Sequence, residues 1–343
     1  MGRRESGMAN ELRGAPEAVA GQERVLAQPV AELVARLKVR PPRVVVTCAR
    51  GSSAHAATFG KHLIELALGI PVAAAAPNIA SVYGRALGLD GQFFLAISQS
   101  GRSDDLIAQA KSARGAGAIT ACIVNAPDSP LATQCEFVLP MGAGLEESVA
   151  ATKSFVATLA ALSRLVGVWS DDRALASAVN RLPERLAKAT ALDWAEAVEA
   201  LAGARSLVTI GRGPTLAIAR EAALKLKEIG NLHAEPFSGA EFLHGPVALV
   251  SERYPILVFM PADEAAAGMA GLVSDLRGKG ARVLVAEPGD PAPGKLAALS
   301  PDHPATDAIC LIQSFYAMVV QLADRLGIDA DRPRHLRKVT RTQ

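Results

Sequence analysis

The chain has 343 residues and a formal charge of +2, from 36 basic groups against 34 acidic ones. At about 150 residues per domain it has room for two domains. Half of the residues are hydrophobic and 20% are charged, which excludes a disordered tail, a collagen-like repeat and a disulfide-stapled miniprotein, and leaves no general electrostatic case for nucleic acid.

In chain order, the opening segment MGRRESGMANELRGAPEAVAGQER holds no apolar run of the signal-peptide type, so no secretory leader is expected. A lead-in helix is predicted over about 15–37, ended by Pro41-Pro42. Strands are then predicted at 43–48, 71–75, 92–98, 118–124 and 136–139, with helices between them. Residues 150–200 read as long Ala/Leu-rich helices with a break near 170, and Pro183 is expected to start one of them. A second series of strands is predicted at 205–210, 235–237, 255–260, 281–286 and 307–310. Short apolar runs separated by helices call for parallel sheets covered on both faces. The fold class is therefore α/β, with ligands expected at the C-terminal ends of the strands. The expected divisions are a helical lead-in (1–40), a first domain with a helical linker (41–200), a second domain (201–328) and a basic tail (329–343). No clean membrane span is predicted, because the best candidate, 307–323, is broken by Gln and Ser.

The two series echo each other. VVVTCARGSS and SLVTIGRGPT each end an apolar strand in an Arg-Gly turn, and Arg50-Gly51 and Arg212-Gly213 are 162 residues apart. Arg114-Gly115-Ala116-Gly117-Ala118 and Arg277-Gly278-Lys279-Gly280-Ala281 each precede another apolar run, at an offset of 163. Two independent echoes at nearly one offset indicate a duplicated α/β unit.

Five places carry groups that a core does not need. Ser98-Gln99-Ser100-Gly101-Arg102-Ser103 follows the strand FFLAIS and precedes a helix. Hydroxyls, a glycine and free N–H groups at a helix start make an anion cradle, while a serine-rich turn capped by Ser103 is the plain alternative. Arg50-Gly51-Ser52-Ser53 adds hydroxyls at the same sheet edge and does not match a dinucleotide-binding glycine pattern. In EAALKLKEIGNLHAE, Glu221, Lys225 and Glu228 share one helix face; a surface ion pair is the plain alternative and an acid–base site the sharper one. Glu235, Glu241 and His244 follow closely, and Glu146, Glu147, Thr152 and Lys153 mark a further strand-to-helix connection.

Cys48, Cys122, Cys135 and Cys310 have no metal-ligand spacing and read as buried free thiols, as in a reducing cytoplasm. His55 and His62 read as helix residues, and they, His233 and His303 lack metal spacing, so neither a metal nor a cofactor is expected.

ISQSGRSDD, VAATKSF, REAALKLKEI with HAE after it, EFLHGP and the terminal DRPRHLRKVT resemble the sugar isomerase (SIS) double-domain family. Within it the likeness is to the isomerase half of glucosamine-6-phosphate synthase, in order from about residue 30 to the end. The resemblance implies two tandem SIS domains, each a flavodoxin- or Rossmann-like, mostly parallel sheet with helices on both faces. It implies that Ser98, Gln99, Ser100 and Ser103 bind a phosphate and that Ser52 and Ser53 match a Gly-Thr-Ser motif beside it. It assigns Glu228, on the helix 217–229, to proton transfer between C1 and C2, and His244, supplied by a partner subunit, to ring opening. Lys225 stands near the reacting carbons, Glu221 orients these groups, and Lys338 is the tail lysine able to form an imine with the open sugar. Thr152 keeps the family's position, whereas Ala151 replaces a serine that holds sugar hydroxyls, and His335 and Arg337 depart from the family's tail.

The glutaminase domain of the synthases begins with a nucleophilic cysteine, but residue 2 here is Gly and the first cysteine is Cys48, in a strand. The expected activity is therefore that of an SIS-type glucosamine-6-phosphate deaminase. The alternatives are another aldose–ketose isomerase, a fructosamine-phosphate deglycase, or a non-catalytic amino-sugar-phosphate sensor. A sugar-phosphate substrate, a cytoplasmic homodimer with shared active sites, and neither nucleic acid nor membrane as partner complete the expectation.

Overall fold

The computed structural model describes residues 6–338. The first part of the chain forms α1 (Gly7–Arg13), α2 (Ala15–Val39), β1 (Val45–Ala49), α3 (Ser52–Leu68), β2 (Val72–Ala74), α4 (Asn78–Ser81), β3 (Phe93–Ser98), α5 (Asp104–Gly115), β4 (Ile119–Val124), α6 (Pro130–Gln134) and β5 (Phe137–Pro140). Three helices follow: α7 (Lys153–Trp169), α8 (Arg173–Thr190) and α9 (Ala195–Ala202). The second series is β6 (Ser206–Gly211), α10 (Pro214–Gly230), β7 (His233–Ser238), α11 (Gly239–Leu243), β8 (Pro255–Phe259), α12 (Ala266–Gly278), β9 (Arg282–Glu287), β10 (Lys295–Ala297) and α13 (Pro304–Leu326).

The chain divides into two compact units. Among the described residues, the first-sheet unit comprises Glu17–Glu146, Lys153–Asn180 and 337–338, and the second-sheet unit comprises 6–16, Glu147–Thr152 and Arg181–Leu336. In the first-sheet unit five parallel strands run in the order β2-β1-β3-β4-β5. Every residue of β3 and β4 is buried, as expected for central parallel strands covered on both faces. One face packs Val46, Phe94 and Cys122 against Leu106, Ala110 and Leu131. Because β2 and β3 lie on opposite sides of β1, the order reverses at the β1–β3 pair, and the loops after these two strands flank that switch point.

The second-sheet unit repeats the plan in the order β10-β9-β8-β6-β7, again parallel throughout. Its core packs Val208, Ile256 and Val283 against Met269, Leu272 and Leu276. The duplication extends to the backbone of the turns. Gly51 (φ 53, ψ −135) and Gly213 (φ 58, ψ −135) precede α3 and α10 in the same left-handed conformation, which lets a buried strand turn directly into a helix.

Nine of the ten expected strands are found to within a few residues. The run at 307–310 is instead part of α13, and the fifth strand of that sheet is Lys295–Ala297. Pro304 occupies a first-turn position of α13, and the ring of His303 accepts from the Ala305 N–H at 3.2 Å, so helix start signals stand just before the apolar run. Edge strand β10 buries only Leu296, and the run that marks it, Leu296-Ala297-Ala298-Leu299, is short and set among Pro, Gly and Ser, so it reads as a loop. Pro183 lies inside α8 rather than at its start, because the buried stripe of Leu175, Val179, Leu182 and Leu186 continues across it. Among the described residues α13 is long and apolar enough to cross a membrane, yet it is mostly buried in the protein. Its mid-helix Gln313 donates to Leu12 O and Thr190 Oγ1, both at 2.8 Å.

Candidate active site

The loops at the switch point of the first sheet are built by their own side chains. The Oγ of Ser98, at the end of β3, accepts from Gly101 N–H at 3.1 Å, and Ser100 Oγ accepts from Arg102 N–H at 3.3 Å. Gly101 adopts φ 61, and a Cβ there would overlap the side chain of Ser129. Ser103 stands at the N-cap position of α5 but makes no side-chain capping bond, unlike the plain serine-turn reading. Ser98 is buried, whereas Gln99, Ser100 and Ser103 are half-buried and border the first turn of a helix, where free N–H groups favour an anion.

Ser52 and Ser53 are the first two residues of α3 and are half-buried. Arg50, just before them, donates from Nε to Asp105 Oδ2 at 2.5 Å and also pairs with it through Nη2. Asp105 is 1% exposed and lies in the first turn of α5. This ion pair ties the loop after β1 to the loop after β3, so both hydroxyl-rich segments are held at one edge. Asp105 belonged to the motif quoted from the sequence, but its partner was not legible there.

On α10 the expected helix face is present and buried. Glu221 and Lys225 are 0% and 1% exposed, whereas the Glu228 side chain is 20% exposed. Lys225 Nζ lies 3.3 Å from Glu221 Oε1 and is ion-paired with Glu228 Oε2. Tyr316, from α13, donates its hydroxyl to Glu221 Oε1 at 3.2 Å. Burial by itself pulls the Lys225 ammonium down, but the two carboxylates outweigh it and hold its pKa above the usual lysine value. The arrangement excludes the surface-pair reading. It is a buried cation between two acids, of which one is sealed under Tyr316 and the other reaches the surface.

His244 follows α11 and is exposed, with Gly245 beyond it at φ 135 and the exposed Leu243 and Leu249 nearby. Thr152 is buried and Ala151 half-buried, immediately before α7. Lys338 donates to Glu146 Oε2 at 3.1 Å, a partner not assigned from the sequence. The expected tail extends past 338 into residues outside those described.

The fold and these loops define an open α/β protein whose sheet-and-helix unit occurs twice. A family model described as "SIS domain" matches residues 38–166 and 200–322, and the chain belongs to that family. A glutamine–fructose-6-phosphate aminotransferase (isomerizing) of Symbiobacterium thermophilum is 33% identical over 320 residues, covering 88% of this chain and 52% of the relative. The chain thus spans about half the length of the curated relatives it matches. A crystal structure from Silicibacter pomeroyi, provisionally named a phosphosugar isomerase, is 42% identical with a TM-score of 0.91, covering 95% of this chain and 100% of that one. The fold is shared with glucosamine-6-phosphate deaminase of Thermotoga maritima at 21% identity and a TM-score of 0.76, over 98% of this chain and 100% of that one.

Proposed function

We propose that this chain is an amino-sugar-phosphate isomerase that converts glucosamine 6-phosphate and water to fructose 6-phosphate and ammonia. The observation that carries the reading is the Glu221–Lys225–Glu228 relay on α10, in which a buried, doubly paired lysine orients a carboxylate that remains accessible. A carboxylate so held suits the transfer of a proton between adjacent carbons. The curated relatives that match this region are named for fructose 6-phosphate chemistry, which supports a phosphosugar substrate.

In this reading the hydroxyls and N–H groups of Ser98–Ser103, with Ser52 and Ser53, take the 6-phosphate, and its binding energy orients the sugar. Thr152 and the segment at Ala151 border the sugar. His244 assists ring opening. Glu228 removes the C2 proton from the open-chain aldehyde, leaving an enolamine, and returns it to C1. The resulting C2 imine adds water and expels ammonia. Lys225 acts through Glu228 by fixing its carboxylate, with Glu221 as the counter-anion, and Lys338 meets the open sugar near C1 and C2.

The exposure of His244 beside Leu243 and Leu249 supports its contribution to a second copy of the chain. Mixing separately inactive Glu228→Gln and His244→Ala proteins then restores part of the activity, because one site of the mixed dimer has both groups. No recovery removes the shared-site arrangement.

The deciding experiment is incubation of the purified protein with glucosamine 6-phosphate, measuring ammonia and fructose 6-phosphate. Glu228→Gln is expected to lower turnover about a hundredfold or more, with KM changed only a few-fold. Absence of ammonia together with clean isomerisation of a neutral sugar phosphate favours the second reading, an aldose–ketose isomerase.

A further inference from the structure

Lys338 has a partner whose own position is set independently of the tail. Glu146 precedes α7, and its side chain is 0% exposed. Its Oε1 accepts from the backbone N–H of Ser154 at 3.0 Å, and its Oε2 accepts from Ser154 Oγ at 2.6 Å. Ser154 lies in the first turn of α7, where backbone N–H groups lack helical partners and the helix dipole attracts an anion. The carboxylate is therefore fixed by α7 itself. A buried carboxylate also demands a compensating cation. Lys338, 192 residues away in sequence and 25% exposed, reaches the same Oε2 at 3.1 Å. The neighbouring Lys153 directs its Nζ to Leu145 O at 2.7 Å.

We propose that Glu146 is the positioning residue for Lys338: anchored on the first turn of α7, it sets where the tail ammonium stands. The catalytic consequence rests on the reading that Lys338 meets the open sugar; the clamp itself does not. A lysine side chain has many rotamers, and an ion pair to a fixed, buried anion removes most of that freedom before substrate arrives.

Glu146→Gln separates this role from helix capping. The amide oxygen still accepts from Ser154 N–H and the amide NH2 donates to Ser154 Oγ, so the cap survives. The Lys338 ammonium then faces a neutral amide whose NH2 is a competing donor.

The test uses the full chain without substrate. An amine-reactive ester labels Lys338, and peptide mass spectrometry compares it with the exposed Lys111. Labelling of Lys338 is expected to rise at least about threefold in Glu146→Gln, since the ion pair no longer occupies the amine. Turnover of glucosamine 6-phosphate is expected to fall about tenfold or more with KM within about twofold, at an unchanged melting temperature. Unchanged labelling overturns the clamp, and raised labelling with unchanged turnover overturns the positioning role. Should Glu146→Gln fail to fold, Ser154→Ala removes the hydroxyl bond that helps to anchor the carboxylate and gives a smaller rise in the same direction; no rise again overturns the clamp. A wild-type protein inert on glucosamine 6-phosphate overturns the functional reading instead, and the labelling comparison still decides the clamp.

Discussion

Lys225 shows how one buried charge organises a helix face. With two carboxylates on it and 1% exposure, its removal leaves two acids without their cation. Lys225→Met is expected to destabilise the protein by about 3–5 kcal/mol, read from denaturant unfolding, because an uncompensated buried charge costs more than a lost surface pair. The pH dependence has a definite sign. A lysine whose pKa is raised on folding contributes its full stability below the unfolded value of 10.5 and loses it as pH climbs through the folded value. Melting temperature is therefore expected to fall above about pH 10.5 more steeply in the wild type than in Lys225→Met, and equal slopes would remove the pair as the source. The spacing of Glu221, Lys225 and Glu228 was legible in the sequence. Their burial was not, because the cover over Glu221 comes from Tyr316, on a helix far along the chain.

Among the elements, the loop after β3 joins fold most directly to candidate function. Gly101 combines φ 61 with a contact that leaves no room for a Cβ beside Ser129. Gly101→Ala must therefore push the loop away from Ser129 as well as strain the backbone. The expected result is an increase in KM for the sugar phosphate of about tenfold or more, the equivalent of one lost charge-assisted hydrogen bond, measured by steady-state kinetics. An unchanged KM would separate the loop from phosphate binding. Most strands were legible as apolar runs between helices. The failures at β10 and 307–310 have two causes: a three-residue edge strand carries too little apolar sequence to register, and the start of a buried helix mimics a strand over a few residues.

For the molecule as a whole, the four cysteines report on both units. All are buried and free. Burial, with Asp105 adding to it, pushes the Cys48 thiol up to about 12, and burial pushes Cys310 up to about 12 as well. The Cys122 thiol is raised by its hydrogen bond to Cys135 and by burial. None is expected to react with a thiol reagent in the native protein at pH 8, and all four should react together with unfolding. Rapid labelling of Cys310 alone would show that the second-sheet unit opens locally.

The sequence by itself determined the α/β class, the duplication, the parallel strands, the hydroxyl-rich switch-point loops and the family. Each of these is written in local periodicity, in turn residues or in short motifs, which act within one element. Only the tertiary structure decided that Lys225 is buried between two acids, that Arg50 and Asp105 lock two loops together, and that Lys338 is paired with Glu146. A charge in a linear sequence looks the same whether water or a carboxylate will surround it. That choice is made by groups brought together from distant parts of the chain, and their desolvation and pairing have no local signature.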